Sequence, residues 1–328
     1  AIQCLSNMTK LRKLFLSKNE ITSIDLLKNL TNLEYLNLSG NPIKEQYINS
    51  GVAREHCLGV LQNKNSVGAN KRAWSDSNNA HDNQNRVHMG IIAHWSSLES
   101  LKALILCELS LEKFHLVRTF QNLEKLSLRK NCLKEITISD DGDFSSLTQL
   151  WIEENELTSI NSLAGFVNIN VLYALHNNIT GIDHVLQCWN NLEVLDLSHN
   201  KLETIGDVPR EISCIRRMDL MHNSITSADF NQFSGLVGLS IDNNLITHLE
   251  IRKGSLKRLK VLSLCFNQLK TLKFKDNGVK EDCYLPALKL LNLFHNKITN
   301  IRWLKYLPAG VTYIDIFNNT VRRTRKYG

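Results

Sequence analysis

The most constraining feature of this sequence is a short apolar pattern that recurs along nearly the whole chain of 328 residues. The pattern is L-x-x-L-x-L-x-x followed by asparagine, as in "LEVLDLSHN" at 192–200. The asparagine stands at Asn19, Asn41, Asn131, Asn155, Asn177, Asn200, Asn223, Asn244, Asn267, Asn296 and Asn319. A twelfth copy, "LKALILCELSL" at 101–111, has Leu109 in that position. Most neighbouring copies are 21 to 24 residues apart, and this regularity predicts a solenoid with one structural unit per copy.

Within each copy, leucines at alternate positions predict a short strand with one buried face. In the copy at 192–200, Leu195 and Leu197 are expected to point inward. The residues around them, Val194, Asp196 and Ser198, are expected to point outward. The asparagine follows at the bend, where its side-chain amide can bond backbone groups that would otherwise be buried and unsatisfied. We therefore predict a ladder of stacked asparagines.

With this pattern the chain resembles the leucine-rich repeat family, over nearly all of its length outside one insertion. After the asparagine, apolar residues recur at every third position, as at Ile21, Ile24 and Leu27, a period that suits 3₁₀ or short helical turns. The resemblance implies an α/β solenoid: a right-handed superhelix with a concave parallel β-sheet and a convex side of 3₁₀ turns and short helices. The repeat length is similar to the class typified by the nuclear regulatory subunit of protein phosphatase 1.

We predict a single domain over residues 1–328 with about twelve repeats, interrupted by a polar insertion at about residues 44–95. Its middle, "NKNSVGANKRAWSDSNNAHDNQNRVH", is poor in aliphatic residues and predicts weak order. Trp74 is a lone aromatic there, either a docking point or incidental. A smaller insertion at 273–285 lengthens one repeat. Neither terminal repeat has a recognisable cap, so we expect a fragment of a longer chain.

Composition narrows the class of protein. No apolar run is long enough to span a membrane. The eight cysteines are scattered, with neither the paired spacing of zinc sites nor the clustering of disulfide caps. We therefore expect reduced thiols in an intracellular, cytoplasmic protein, with a nuclear or cytoskeleton-associated location as an option within that class and an extracellular location as the alternative. The net charge of +7 suggests an acidic partner surface and does not by itself imply nucleic acid.

The outward strand positions supply the candidate partner-binding residues. Three groups stand out: an apolar and aromatic patch beside acidic residues, an acidic run, and a second aromatic patch. Their members are Trp151, Val171, Tyr173 and Leu175 with Glu153; then Asp196, Asp219 and Asp242; then Phe294, Tyr313 and Phe317. Aromatic anchors ringed by charge are typical of protein–protein hot spots, although some of these aromatics could merely cover the sheet.

No motif indicates chemistry. His176, His199 and His222 precede successive ladder asparagines and are expected to stack, but "HN" is an ordinary turn pair in such repeats, so we predict no metal site. Asp196 and Asp219 are expected on an open surface where water screens them, without a raised pKa. No phosphate-binding loop or nucleophile motif is present. We predict no enzyme activity and no cofactor.

The leading functional hypothesis is a protein-interaction scaffold, or a targeting or regulatory subunit, that holds a partner on its concave face. A phosphatase and a cytoskeletal or centrosomal component are the partner types considered, and no specific nucleic acid is expected. The alternatives are an extracellular recognition ectodomain, for which five N-x-[ST] sequons would be suitable, and the recognition arm of a longer multidomain enzyme. A terminal basic cluster, Arg322, Arg323, Arg325 and Lys326, suits acidic tails, phosphosites, anionic lipid or a solvated linker.

Overall fold

The computed structural model describes residues 5, 7–44, 95, 97–140, 142–206, 208, 210–276 and 284–321. Nearly all of the predicted insertion at 44–95, with Trp74, lies outside the described residues, as does the basic cluster after residue 321. The chain divides into two compact units, Ala1–Leu147 and Thr148–Gly328. In both units the predicted parallel-strand solenoid of leucine-rich repeats is confirmed.

In Ala1–Leu147, four three-residue strands form a parallel sheet. They are β1 (Lys13–Phe15), β2 (Tyr35–Asn37), β3 (Ala103–Ile105) and, after β4 (Lys113–Leu116), β5 (Lys125–Ser127). β4 pairs in parallel with β6 (Glu135–Ile138) in a separate two-stranded sheet. Short 3₁₀ turns at Asp25–Asn29 and Arg118–Phe120 complete the unit. The middle residue of each strand in the larger sheet is a buried leucine.

In Thr148–Gly328, eight short parallel strands form the main sheet. In chain order they are β7 (Gln149–Trp151), β8 (Val171–Tyr173), β9 (Val194–Asp196), β10 (Arg217–Asp219), β11 (Gly238–Ser240), β13 (Val261–Ser263), β15 (Leu290–Asn292) and β16 (Tyr313–Asp315). β12 (His248–Arg252) and β14 (Thr271–Lys275) pair separately, in parallel. The helical segments are 3₁₀ turns at Asn161–Gly165 and Arg302–Tyr306 and a one-turn α-helix, α1 (Asp183–Leu186).

The predicted asparagine ladder is confirmed, and Asn200 shows its geometry. Its Nδ2 donates to the carbonyls of Leu197 and Ala174, at 3.0 Å each, and its Oδ1 accepts from the Ile179 N–H at 2.9 Å. Every buried amide group of this side chain therefore has a backbone partner, partly in its own repeat and partly in the preceding one. The same three kinds of bond recur at Asn41, Asn131, Asn177, Asn223, Asn244, Asn267, Asn296 and Asn319.

The repeat without a ladder asparagine is bridged by its neighbours. Leu109 is buried, and Asn131 Oδ1 accepts from the N–H groups of both Leu109 and Leu111, at 3.0 and 3.2 Å. The Ile43 N–H bonds the Asn41 carbonyl at 2.8 Å, within its own turn. The missing amide thus leaves neither the Leu109 nor the Ile43 N–H unsatisfied.

The residue immediately before most ladder asparagines has a left-handed backbone. His176, His199 and His222 have φ of 53°, 54° and 53°, and the same slot is left-handed at Lys18, Lys130 and Glu154. A residue with a Cβ adopts the left-handed conformation at a cost of about 1 kcal/mol. The hydrogen bonds of the ladder turn therefore have to offset this cost in each repeat. The turn also directs the side chains of His176, His199 and His222 into one column along the edge of the sheet.

Candidate partner-binding face

The strand face is defined as the outward side chains of the main sheet in Thr148–Gly328. Strand register arranges them in two rows. The first row contains Gln149, Val171, Val194, Arg217, Gly238, Val261, Leu290 and Tyr313. The second row contains Trp151, Tyr173, Asp196, Asp219, Ser240, Ser263, Asn292 and Asp315. Residues neighbouring in a row lie on paired strands, about 4.8 Å apart.

The second row brings together the central predicted residues. Trp151 pairs in register with Tyr173, Tyr173 with Asp196, and Asp196 with Asp219. The predicted adjacency of two aromatic rings and two carboxylates is therefore confirmed. Trp151 and Tyr173 are half-buried rather than fully exposed, as are Val171 and Leu175 beside them.

The predicted exposure of Glu153 is wrong. Its side chain is buried, with 7% of its surface exposed. Glu153 comes after the end of β7, where the chain bends toward Asn155, whose Nδ2 bonds the Glu153 carbonyl at 3.2 Å. The same bend buries Ser198, also predicted to point outward. Glu153 and Ser198 are therefore buried where the chain bends, whereas at the equivalent repeat position Leu175 is half-buried and Phe317 is 74% exposed.

The acidic run is a pair with an offset third member. Asp196 Oδ1 accepts from the Ser198 N–H and Oγ, at 2.9 and 2.6 Å, and Asp219 Oδ1 accepts from the Met221 N–H at 3.1 Å. Asp196 and Asp219 occupy the same row, so their charges lie side by side. Asp219 therefore has fewer hydrogen bonds to offset the neighbouring charge than Asp196 has.

Asp242 lies two residues beyond the end of β11 and reaches toward the next strand. Its carboxylate accepts from the Ser263 Oγ and from the Cys265 N–H, at 2.7 Å each. Ser240 pairs in register with Asp219, so Asp242 lies one outward position further along its repeat than Asp196 and Asp219 do in theirs.

The expectation that no carboxylate here has a raised pKa is also wrong. Burial, and then the charges of Asp196 and Asp242, raise the pKa of Asp219 to about 6, against an opposing hydrogen bond from the Met221 N–H. Asp219 lies between Asp196 and Ser240 on the paired strands, and its partial burial disfavours the charged form. Near neutral pH this face carries a carboxylate that takes up a proton on mild acidification.

The second aromatic patch contains a ring that sequence reasoning missed. Phe294 and Phe317 stack with centroids 5.9 Å apart, and Phe266 meets Phe294 edge-on at 5.1 Å. Phe266 and Phe317 are 44% and 74% exposed. Phe266 occupies the left-handed slot before Asn267, and that repeat position was the sequence signal for its place. Tyr313 lies in the first row instead, with its hydroxyl donating to Asp315 at 3.2 Å.

The histidine column forms as predicted. His176, His199 and His222 stack with centroid distances of 4.1 Å and interplanar angles of 15°. Burial, with the neighbouring imidazoles, lowers the pKa of His199, while Asp196 opposes the shift. Parallel rings direct their nitrogen lone pairs side by side rather than toward one point, which is unsuitable for tetrahedral coordination. In the part of the chain that the structure describes, no group of three His, Cys, Asp or Glu could hold a metal ion.

The described cysteines are free thiols: Cys107, Cys132, Cys188, Cys214 and Cys265. Cys265 is buried, with its Sγ 3.6 Å from the Ser263 Oγ, and burial raises the pKa of its thiol. Among the described residues, no helix has the length and hydropathy to cross a lipid bilayer.

Comparison with known proteins agrees with this fold. A family model described as Leucine Rich repeats (2 copies) matches residues 9–47, and one described as Leucine Rich Repeat matches residues 191–215. A search of the curated proteins gives no match.

Solved structures with a similar fold span nearly all of the chain. A leucine-rich repeat protein of Leptospira interrogans has a TM-score of 0.63 and 21% identity, covering 96% of this chain and 74% of that protein. The functional domain of InlJ from Listeria monocytogenes has a TM-score of 0.61 and 20% identity, covering 98% of this chain and 56% of that domain. A plant peptide hormone receptor in complex with RGF2 has a TM-score of 0.56 and 19% identity, and the match covers 97% of this chain and 53% of that receptor. At these identities the likeness extends to the fold alone.

Proposed function

We propose that this chain is a protein-binding scaffold, a targeting or regulatory subunit that holds its partner against the strand face and performs no chemistry itself. The register of Trp151, Tyr173, Asp196 and Asp219 carries the proposal, because it places aromatic anchors directly beside carboxylates. Half-buried aromatic rings lose little conformational entropy on binding, and adjacent charges provide orientation. The leucine-rich repeat solenoid is typical of protein–protein interaction scaffolds.

The chemistry of the partner follows from the charge around this site. Residues 148–200 contain six Asp and Glu and no Lys or Arg, and Arg217 is the one cation in the two rows of the strand face. The anionic field of this segment favours a partner that presents basic side chains next to an apolar one. The apolar group would contact Trp151 and Tyr173, and a Lys or Arg would face Asp196 and Asp219.

An intracellular location belongs to the same proposal. The free thiols among the described cysteines support it, since unpaired cysteines persist most readily in a reducing compartment. In the alternative of an extracellular ectodomain, thiols of the protein isolated from its source would resist alkylation. A phosphatase or a cytoskeletal component remains a proposed class of partner.

The experiment is quantitative affinity capture with three immobilised proteins: wild type, a Trp151→Ala/Tyr173→Ala variant, and a Phe15→Ala control. Phe15 is exposed on β1 and is likewise an outward strand residue, so it controls for loss of surface aromatic area. A partner of the strand face is enriched on the wild type and the control and lost from the double variant. Far-ultraviolet circular dichroism and urea unfolding verify that the double variant is folded.

The proposal fails if every protein enriched on the wild type is equally enriched on the folded double variant. It also fails if the enriched proteins bind equally well to Asp196→Lys/Asp219→Lys, since a basic contact is part of the proposed recognition.

A further inference from the structure

We propose that the β12–β14 sheet and the adjacent turn at Arg302–Tyr306 form a second binding surface, separate from the strand face, that takes an acidic polypeptide segment. The five exposed cations that define this basic surface are Lys270, Lys273, Lys275, Arg302 and Lys305.

The charge of the chain is segregated toward this region. Residues 252–328 contain 17 Lys and Arg against 4 Asp and Glu, whereas residues 1–251 contain 22 against 28. The net positive charge of the protein therefore originates entirely from its last quarter. A cationic surface of this kind attracts anionic partners and speeds their encounter.

The fold directs these cations outward. In β12 and β14 the buried residues are Leu249, Ile251 and Leu272, with Phe274 half-buried beside them. The alternate residues face away from the core, and they include Lys273 and Lys275. Lys273 and Arg302 both stand six residues after a ladder asparagine, Asn267 and Asn296, so they occupy the same position in consecutive repeats.

Acidic side chains on the protein itself offset part of this surface, since Glu250 on β12 pairs in register with Lys273. Arg252 is occupied by Asp229 at 2.7 Å and Glu250 at 3.4 Å. Glu250 also lies 3.9 Å from Lys275, a long contact on a largely exposed lysine. Among the described residues, Lys270, Lys273, Arg302 and Lys305 form no ion pair with Asp or Glu.

An aromatic cluster holds the two parts of the surface together. Phe274, Tyr284 and Tyr306 contact one another with ring centroids 5.1 to 5.4 Å apart, and Lys305 Nζ lies 4.8 Å over the Tyr306 ring. β14 and the Arg302–Tyr306 turn are thereby packed as one piece. The cations are presented on a preorganised platform, which reduces the entropic cost of binding.

The geometry favours an acidic polypeptide over a nucleic acid. Lys273 and Lys275 are alternate residues of one strand, about 6.6 Å apart, and carboxylates at alternate positions of an extended peptide have the same spacing. Binding of single-stranded nucleic acid relies on open aromatic faces for base stacking. Here Tyr284 is buried and Phe274 is half-buried, so Tyr306, 37% exposed with Lys305 Nζ 4.8 Å over its ring, is the one exposed ring of the cluster.

The test uses fluorescence anisotropy with the full chain and three labelled probes of equal charge. One peptide has Glu and Ser alternating over about 12 residues, one has its Glu residues contiguous, and the third probe is a single-stranded RNA. We expect the alternating peptide to bind most tightly, and to bind more weakly when NaCl rises from about 50 to about 300 mM. Lys273→Glu/Lys275→Glu should weaken that binding by at least about tenfold.

The matched control is Lys13→Glu/Lys125→Glu, which makes the same change in net charge at exposed lysines on the strands of Ala1–Leu147. An equal loss of affinity in this control would refute a localised surface, because only net charge would then matter. Tighter binding of the RNA, reduced by the same reversal, would make the surface a nucleic-acid site and overturn the proposal. So would failure of both peptides to bind the wild type. Trp151→Ala/Tyr173→Ala should leave the affinity for the peptide unchanged. The basic surface and the strand face are therefore tested independently of each other.

Discussion

Replacing Asp219 with asparagine should stabilise the protein at neutral pH and not in acid. The folded protein raises the pKa of Asp219 from its ordinary value of 3.8 to about 6, chiefly by burial. The folded state therefore binds this proton more tightly than the unfolded state does. Below the pKa that Asp219 has in the unfolded state, the carboxyl is neutral in both states and does not change the free energy of unfolding. As pH rises from about 4 to above 6, the charge forms more readily in the unfolded state, and the folded protein loses stability. Asparagine keeps an oxygen for the Met221 N–H and removes the charge.

The size of the effect follows from the shift in pKa. Each pKa unit corresponds to about 1.4 kcal/mol, so a shift of about two units would give roughly 3 kcal/mol for a fully buried group. Asp219 is only half-buried, so solvent screening reduces the effect of its charge. At pH 7.5 we expect Asp219→Asn to raise the free energy of unfolding by about 1 kcal/mol. The gain should be close to zero near pH 3.5, because Asp219 is then neutral in both states.

The assay is urea unfolding followed by circular dichroism, for wild type and Asp219→Asn, at intervals from about pH 3.5 to 8. Asp143→Asn is the control of opposite sign. Hydrogen bonds from Ser145 lower the pKa of Asp143, so its charged form is favoured in the fold and its loss should destabilise at neutral pH. A gain for Asp219→Asn that is the same at every pH would refute the reasoning. A carboxyl titration of Asp219 by NMR with a midpoint near 4 would refute it independently.

Two further predictions concern the repeat framework, and urea unfolding measures both. Asn200→Ala leaves buried backbone groups without partners and should lower the free energy of unfolding by about 2–4 kcal/mol. Asn191→Ala removes an exposed amide and should lower it by under about 0.5 kcal/mol. Equal losses in the two variants would contradict a ladder role for Asn200. Gly235→Ala places a Cβ 2.0 Å from the Ser213 carbonyl oxygen and should cost roughly 3 kcal/mol or more. Gly238→Ala, with no atom within 4 Å of the new Cβ, should be close to neutral, and a comparable loss there would show that backbone freedom matters more than space.

The framework could be predicted from the sequence because its requirements repeat. Nearly every copy buries an apolar side chain at the strand centre, usually a leucine such as Leu195, and each must satisfy the backbone at the following bend. Only a side chain with both a donor and an acceptor, such as that of Asn200, can do the latter. A demand that recurs every 21 to 24 residues is visible in a single sequence. The rows of outward residues followed from the same register, which brought Trp151 beside Tyr173.

The error at Glu153 arises from the geometry beyond the end of its strand. Strict alternation predicts that the Glu153 side chain is exposed. The chain already bends toward Asn155 at this residue, and the side chain is buried. The environment of Asp219 was equally hidden, because its neighbours on the paired strands, Asp196 and Ser240, are about one repeat away in the sequence. Phe266 was missed since its slot is usually polar.

The two proposed surfaces use positions that the repeat leaves unconstrained. The repeat fixes the strand centres and the ladder, and it leaves the outward residues and those after the turn free to carry charge. In this chain these charges are unevenly distributed: residues 148–200 contain no Lys or Arg, and Lys273, Lys275 and Arg302 stand in later repeats. Opposite charges on one rigid framework repel the same ligand from one surface and attract it to the other. A single partner therefore requires two oppositely charged segments to occupy both surfaces, and two partners of opposite charge can be held at once.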